Sequence, residues 1–303
     1  MLADNPHSQQ LFDLEERVGI ASELWQELLD EVQYAGATSF VEISDVWLRF
    51  IWALDAHRVA SIPPRGLGKE ALDSSRRLAA VYRMKGNFFS TVLALLLQNQ
   101  TSQPIRPRTK IQGFSQTHQI DLAWPSRKHD PRICVESKVT GAPAYGSYGE
   151  RGALSDWSNR RKELKFSATD LKLFRRQQAT SIRHWGQWRE GAPPKTYFVW
   201  GARLRTTSRP ERLLSLHQEA QALIATYLDG AGVVAWRPRG DGNGYERVPT
   251  PPNQLHLDID DVLHRVASEI QDLAEREGEV PEVVMPSSTA IDVERLAPDS
   301  GTD

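Results

Sequence analysis

The sequence predicts an α/β fold, a mixed β-sheet flanked by helices, with a helical subdomain in front of it. Three observations carry this. Apolar residues recur at spacings near three and four over residues 9–60. Three short strand-like runs follow one another between residues 110 and 139. Beyond them, amphipathic stretches alternate with short apolar runs, the pattern of a sheet covered by helices.

The elements follow in order. Leu11, Leu14, Val18, Leu24, Trp25, Leu28, Leu29 and Val32 form one apolar stripe, and Val46, Trp47, Phe50, Ile51 and Leu54 a second. Their aromatics read as core. Ile62-Pro63-Pro64-Arg65-Gly66 breaks the helical pattern. A charged helix resumes over 69–83, and Gly86 and Asn87 open an apolar helix running from Phe88 to Leu97. Residues 110–114, 119–124 and 132–139 are the three strands, with a hairpin loop at 126–131 between the last two. A Gly- and Tyr-rich loop covers 141–152, and 155–190 is polar and mainly helical. Tyr197-Phe198-Val199-Trp200 and Val233-Val234-Ala235-Trp236 are buried strands, separated by an amphipathic helix at 211–228. Gly240-Asp241-Gly242-Asn243-Gly244 reads as a hairpin turn. A last helix covers 258–275, and Pro, Ser, Thr and acids dominate after Glu279. The expected division is a helical subdomain at 1–84, an α/β domain at 85–278 and a disordered tail at 279–303.

At 303 residues the chain can bury a sizeable core. It has no run of 18 apolar residues to span a membrane, and its start lacks a basic-then-apolar signal pattern, so a cytoplasmic location is expected. The single cysteine, Cys134, excludes an internal disulfide and a cysteine-rich zinc site, and reads as buried. A phosphate-binding Gly-rich loop followed by Lys-Ser or Lys-Thr is absent, which speaks against a nucleotide cofactor. The net charge of -2 hides an asymmetry: residues 101–220 hold 22 Lys and Arg against 10 Asp and Glu. Such a basic block suits a polyanionic partner; the alternative is a solvated basic surface.

The candidate chemistry lies within that block. In Gln119-Ile120-Asp121-Leu122-Ala123-Trp124, strict alternation places Ile120, Leu122 and Trp124 on one face and Asp121 on the other. In Ile133-Cys134-Val135-Glu136-Ser137-Lys138-Val139, Glu136 and Lys138 share a face. If the two strands pair through the 126–131 loop, the carboxylates of Asp121 and Glu136 converge. Two converging carboxylates are costly without a cation and favour a hard divalent one such as magnesium. A metal there polarises a phosphoryl oxygen and acidifies its water, while Lys138 orients or helps deprotonate that water and stabilises charge on the phosphate. The alternative is a cross-strand salt bridge between Asp121 and Lys138.

These residues resemble the PD-(D/E)xK nuclease superfamily, which includes many restriction endonucleases. Its pattern is an acid on one strand and Glu-x-Lys on the next, within a core of helix, three strands, helix and strand. The resemblance covers roughly residues 85–204. It implies a restriction endonuclease-like core and a magnesium-dependent endonuclease acting on DNA, with manganese as a substitute metal. Asp121 and Glu136 would be metal ligands, the Ser137 backbone carbonyl would complete the shell, and Lys138 would be the catalytic lysine. Restriction or defence is the implied setting, and a homodimer the implied assembly, since two strands need two sites. Many members also carry a glutamate on the helix before the first strand. Residues 86–100 contain no acid, so Asn87 or Gln98 would stand there, holding a metal-bound water without adding charge.

Further candidates surround this centre. His118 reads as a helper or as a strand-end histidine without a role, and Gln116 and Gln119 are similar. Arg160, Arg161, Lys162, Lys165, Lys172, Arg175 and Arg176 form a row to grip phosphates, or else a solvated helix face. Glu163-Leu164-Lys165, a second Glu-x-Lys, lacks a strand-borne acid upstream and reads as a solvated helix face. Tyr145, Tyr148 and Trp157 read as DNA-contacting loop residues or as a plain loop. The rival functions are a nucleic-acid-binding module without catalysis and a helical scaffold recruiting a partner through residues 1–80.

Overall fold

The computed structural model describes residues 14–60, 69–129, 131–144, 149–155, 157–180, 193–206 and 210–277. The break expected at 62–66, Tyr145, Tyr148, the tail at 279–303 and the side chains of Arg175 and Arg176 lie outside the described residues.

Helices α1 (Leu14–Gln33), α2 (Phe40–Ala60) and α3 (Lys69–Thr101) come first. Gly36, at φ 73°, takes the left-handed conformation that closes a helix. The Thr38 and Ser39 amides then donate to the Glu42 carboxylate at 2.7 and 3.0 Å, starting α2. The sequence predicts a helix opening at Gly86; the structure instead runs one 33-residue helix through that point. A lone interior glycine costs only ~0.5–1 kcal/mol. The packing on either side offsets it: Lys85 and Phe89 are both buried. The division expected between residues 84 and 85 therefore falls inside α3.

The strands are β1 (Arg106–Gln112), β2 (Thr117–Trp124), β3 (Ile133–Thr140), β4 (Lys195–Arg203), β5 (Gly230–Pro238) and β6 (Tyr245–Val248). Helix α4 (Trp157–Thr180) connects β3 to β4, α5 (Pro210–Ile224) connects β4 to β5, and α6 (Ile259–Glu277) follows β6. The sheet order is β1-β2-β3-β4-β5-β6. β1–β2, β2–β3 and β5–β6 are antiparallel, while β3–β4 and β4–β5 are parallel, so the sheet is mixed. β1 begins and ends earlier than the expected 110–114, leaving Gly113 and Phe114 in the turn to β2.

Period-two alternation sorts the central strands between two helical layers. Tyr197 and Val199 of β4, with Val234 and Trp236 of β5, join one cluster that also holds Trp25, Trp47, Leu93 and Val266. Phe198, Trp200, Val233 and Ala235 join another with Leu164, Ala168, Leu216 and Ala220. Helices α1, α2, α3 and α6 thus cover one face, and α4 and α5 the other. The N-terminal helices share their core with the sheet. Among the described residues no helix is long and apolar enough to cross a membrane.

Candidate active site

The centre forms where β2 and β3 separate. Their register pairs Trp124 with Ile133, Ala123 with Cys134 and Leu122 with Val135, and pairing ends there. One step further, Asp121 and Glu136 face each other across the opening. The Asp121 carboxylate fills the gap by accepting the Ser137 amide at 2.7 Å and the Ser137 hydroxyl at 3.1 Å. Lys138 Nζ lies 3.9 Å from Asp121 Oδ2 and 3.4 Å from Glu136 Oε2. The three groups expected to converge do converge. Their side chains keep 20 %, 17 % and 27 % of their surface for Asp121, Glu136 and Lys138, so the centre is reachable from solvent.

The expected alternation in β2 needs correcting. Leu122 and Trp124 pack in the cluster under α3 and α6. Ile120 instead packs with Ile111, Ala123, Cys134 and Leu171, on the α4 side. The alternation slips at Asp121. Opposite it in register, Arg108 of β1 holds the left-handed conformation at φ 58°. A backbone irregularity beside a site re-aims a side chain. Here the slip turns the Asp121 carboxylate toward the Ser137 amide.

Charge within the centre is unevenly balanced. Burial pushes the Glu136 carboxyl up to about 7; Lys138 opposes this, the Asp121 charge reinforces it, and a hydrogen bond from Ser167 of α4 draws it back. Burial also works against the Lys138 ammonium. Glu136, Asp121 and Glu163 outweigh it and hold the amine above its ordinary value. Lys138 is therefore a persistent cation, suited to donating hydrogen bonds and stabilising anionic charge.

The donor set fits a hard cation that retains waters. Among the described residues no group of three or more His, Cys, Asp or Glu is arranged to hold a metal. Two carboxylates nonetheless suffice for magnesium, which keeps several waters and needs one or two protein carboxylates. In an extended strand the N–H and C=O of one residue point the same way. The Ser137 carbonyl thus faces the β2 side, where its amide meets Asp121. Burial is the main cause of the raised Glu136 carboxyl, with the Asp121 charge adding to it, and a cation bound between the two would favour the ionised form.

No protein-family model, no curated protein and no solved structure matches this chain.

The other candidates divide. Asn87 and Gln98 lie on α3 and take no part in the bonds joining Asp121, Glu136, Ser137 and Lys138. His118 is committed elsewhere: its Nε2 meets Asp170 Oδ2 of α4 at 2.7 Å, and both side chains are buried. The Ser115 amide donates to the same carboxylate at 2.8 Å. Gly113 is required beside this pair, because a Cβ there would sit 2.1 Å from Asp170 Oδ2. His118 thus ties the β1–β2 turn to α4.

The basic row is largely paired. Arg160 meets Glu163 at 2.9 Å, and Arg161 meets Glu219 at 3.4 Å. Lys172 meets Asp229 at 2.9 Å, and Lys165 lies over the Tyr227 ring at 4.4 Å. Arg161, Lys165 and Lys172 recur at helical spacing and brace α4 against α5 and the turn before β5. Lys162 is exposed. The second Glu-x-Lys is accordingly only half solvated: Lys165 packs on Tyr227, and Glu163 acts on Lys138 through space. Trp157, expected in a DNA-contacting or a plain loop, is instead buried at the start of α4, stacks on Trp200 at 4.1 Å and donates its Nε1 to Glu219.

Sequence reasoning missed Ser167. One signal was present: a serine interrupting the apolar stripe Leu164, Ala168 and Leu171 on the helix that follows the acid-bearing strand.

Proposed function

We propose that the chain is a magnesium-dependent endonuclease hydrolysing DNA phosphodiester bonds, in a restriction or defence setting. The observation that carries this is the meeting of Asp121, Glu136 and Lys138 at the opening between β2 and β3, with Lys138 Nζ 3.9 and 3.4 Å from the two carboxylates. The order α3, β1, β2, β3, α4, β4 supports the resemblance to the PD-(D/E)xK superfamily and to a restriction endonuclease-like core.

Asp121 and Glu136 would hold the magnesium ion, with the Ser137 carbonyl adding an oxygen and manganese able to replace the metal. When bound, the metal supplies Lewis-acid polarisation of the phosphate and a more acidic water. Lys138 orients the attacking water and stabilises charge developing on the phosphate oxygens. The Ser137 amide and hydroxyl hold the Asp121 carboxylate in place, and Ser167 of α4 lies close enough to Glu136 to favour its anion.

The test incubates the purified chain with methylated and unmethylated plasmid, in magnesium, manganese or chelator. Cleavage with either metal and none in chelator is expected. Asp121→Ala and Glu136→Ala should abolish cutting and Lys138→Ala should slow it ~10²–10³-fold, each with the circular dichroism spectrum unchanged. Cutting at the wild-type rate by all three variants would overturn the site.

The second reading is a nucleic-acid-binding module without catalysis. The absence of any acid over residues 86–100 favours it. Duplex binding that persists in chelator, with no cutting in either metal, would select it.

A further inference from the structure

Helix α4 lies across the opening where β2 and β3 separate. Its side chains reach both strands: Asp170 meets His118 of β2 at 2.7 Å, and Ser167 lies close enough to Glu136 of β3 to favour its anion. Phe166 stands between them. It directly precedes Ser167 and lies ~100° from it around the helix, at ~3.6 residues per turn, on the β2 side. Its ring rests against the His118 ring, with centroids 5.6 Å apart and planes tilted by 59°. His118 is itself pinned by Asp170, so Phe166 has a fixed backing. Half of Phe166, 50 %, stays open to solvent.

A second ring stands close by. Phe114, in the turn between β1 and β2, is 51 % exposed, and its amide donates to the Asp170 carbonyl at 3.1 Å, one helical turn beyond Phe166. Leu173 is exposed as well, so three of the eight exposed large hydrophobic side chains among the described residues gather on α4 and the turn fastened to it. Single exposed apolar side chains are ordinary, whereas a group of them beside a site marks a contact surface. The group is not a continuous apolar face. Lys162, Phe166, Thr169 and Leu173 follow one another at spacings of four, three and four along one exposed stripe, so apolar side chains alternate with a cation and a hydroxyl. A protein partner would ask for an apolar centre depleted of charge. Separate rings among polar groups suit bases joined by phosphates, since each base has a flat face and each phosphate a charge.

We propose that Phe166 is a stacking platform for an unpaired base next to the phosphate at the candidate active site, with Phe114 taking a neighbouring base. Bases paired within a duplex are stacked on one another and cannot reach such rings, so the substrate presents single-stranded or opened nucleotides there. The place of the phosphate rests on the nuclease reading, whereas the platform rests on the rings.

The experiment measures binding of a short fluorescently labelled DNA single strand and of its duplex, in chelator over a salt series, for wild type, Phe166→Leu, Phe166→Tyr and Phe114→Leu. Leucine keeps an apolar cover over His118 and removes the ring, while tyrosine keeps the ring. Wild type should favour the single strand. Phe166→Leu should lose single-strand affinity by ~5-fold or more, the scale of one stacked base, with duplex affinity and the salt slope unchanged. Phe166→Tyr should bind like wild type, and Phe114→Leu should lose single-strand affinity in the same direction. Phe114 lies in a turn, so its variant gives a second reading should Phe166→Leu disturb folding. Single-strand affinity unchanged in both leucine variants overturns the proposal. So does a loss shared equally by duplex and single strand, and so does a wild type that binds no single strand. If wild type sediments as a dimer that both leucine variants dissociate, at unchanged single-strand affinity, the rings join two copies and the base assignment falls. The nuclease reading fails separately: a wild type with this single-strand preference that cuts no DNA in magnesium keeps the platform and loses the nuclease.

Discussion

At Glu136, burial and charge pull against each other. Burial and the Asp121 carboxylate favour the protonated acid, while Lys138 and Ser167 favour the anion. Lys138→Ala removes the nearest cation and the group that would meet charge on the phosphate. Cleavage is expected to fall ~10²–10³-fold, the scale for losing one preorganised donor. Duplex affinity in chelator should stay within a small factor, since single-turnover rate and equilibrium binding report different steps. Asp170 supplies a residue-scale prediction about acid stability. Burial would raise its carboxyl, but His118 and the Ser115 amide hold it below the ordinary 3.8. A carboxyl depressed in the folded state stabilises the fold above its unfolded value, and that contribution disappears as pH falls through the folded value. Asp170→Asn should therefore be less stable than wild type near neutrality, and the gap should narrow below pH ~4. Urea unfolding at several pH values checks this; a gap that widens in acid would contradict the assignment.

At the scale of elements, one buried polar chain joins α2, α3, β4 and β6. Lys85 Nζ of α3 donates to Asp55 of α2 at 2.7 Å, with the two side chains 2 % and 0 % exposed. Tyr245 of β6 donates to the other Asp55 oxygen at 2.6 Å, and Arg203 of β4 donates to the Tyr245 hydroxyl at 3.0 Å. Removing one partner of such a pair leaves an uncompensated buried charge, at a cost of ~3–5 kcal/mol. Asp55→Ala should lower the unfolding free energy on that scale, while Asp55→Ala/Lys85→Met should recover part of it. Chemical denaturation of the three proteins tests both statements. None of this chain was legible beforehand: Asp55 and Tyr245 are 190 residues apart, and no local pattern couples them. Strand β6, Tyr-Glu-Arg-Val, was missed for a related reason. It is four residues long with a polar middle, and pairing with β5 supplies the order that its own residues do not.

At the scale of the molecule, α1 and α2 complete the core. Trp25 meets Phe88 of α3 at 4.5 Å and Phe50 at 5.3 Å, and Trp47 meets Phe89 at 5.2 Å. The Asp260 carboxylate of α6 accepts the Phe40 and Val41 amides, clasping the start of α2 to the last helix. A fragment beginning at residue 69 would expose the buried face of α3 to water. It is expected to lack the sharp near-ultraviolet dichroism and cooperative unfolding of the full chain. A fragment that unfolds cooperatively would show that the sheet and its other helices fold without α1 and α2.

The local alphabet of this chain was enough to place the acid-bearing hairpin. Asp121, Glu136 and Lys138 lie within 18 consecutive residues, joined by one loop, so spacing and alternation settle which strand each occupies. The order of helices and strands was legible for the same reason, since periodicity is a property of neighbours. The tertiary structure decided what depends on distant partners. It slipped the alternation at Asp121 and bound His118 to Asp170, 52 residues away. It also paired Arg161 and Lys172, which the sequence left between a phosphate grip and a solvated helix face, with carboxylates 58 and 57 residues further on. Side chains far apart in the chain meet only after the layers pack. Burial and charge partners are set at that step, and with them the chemistry each side chain can offer.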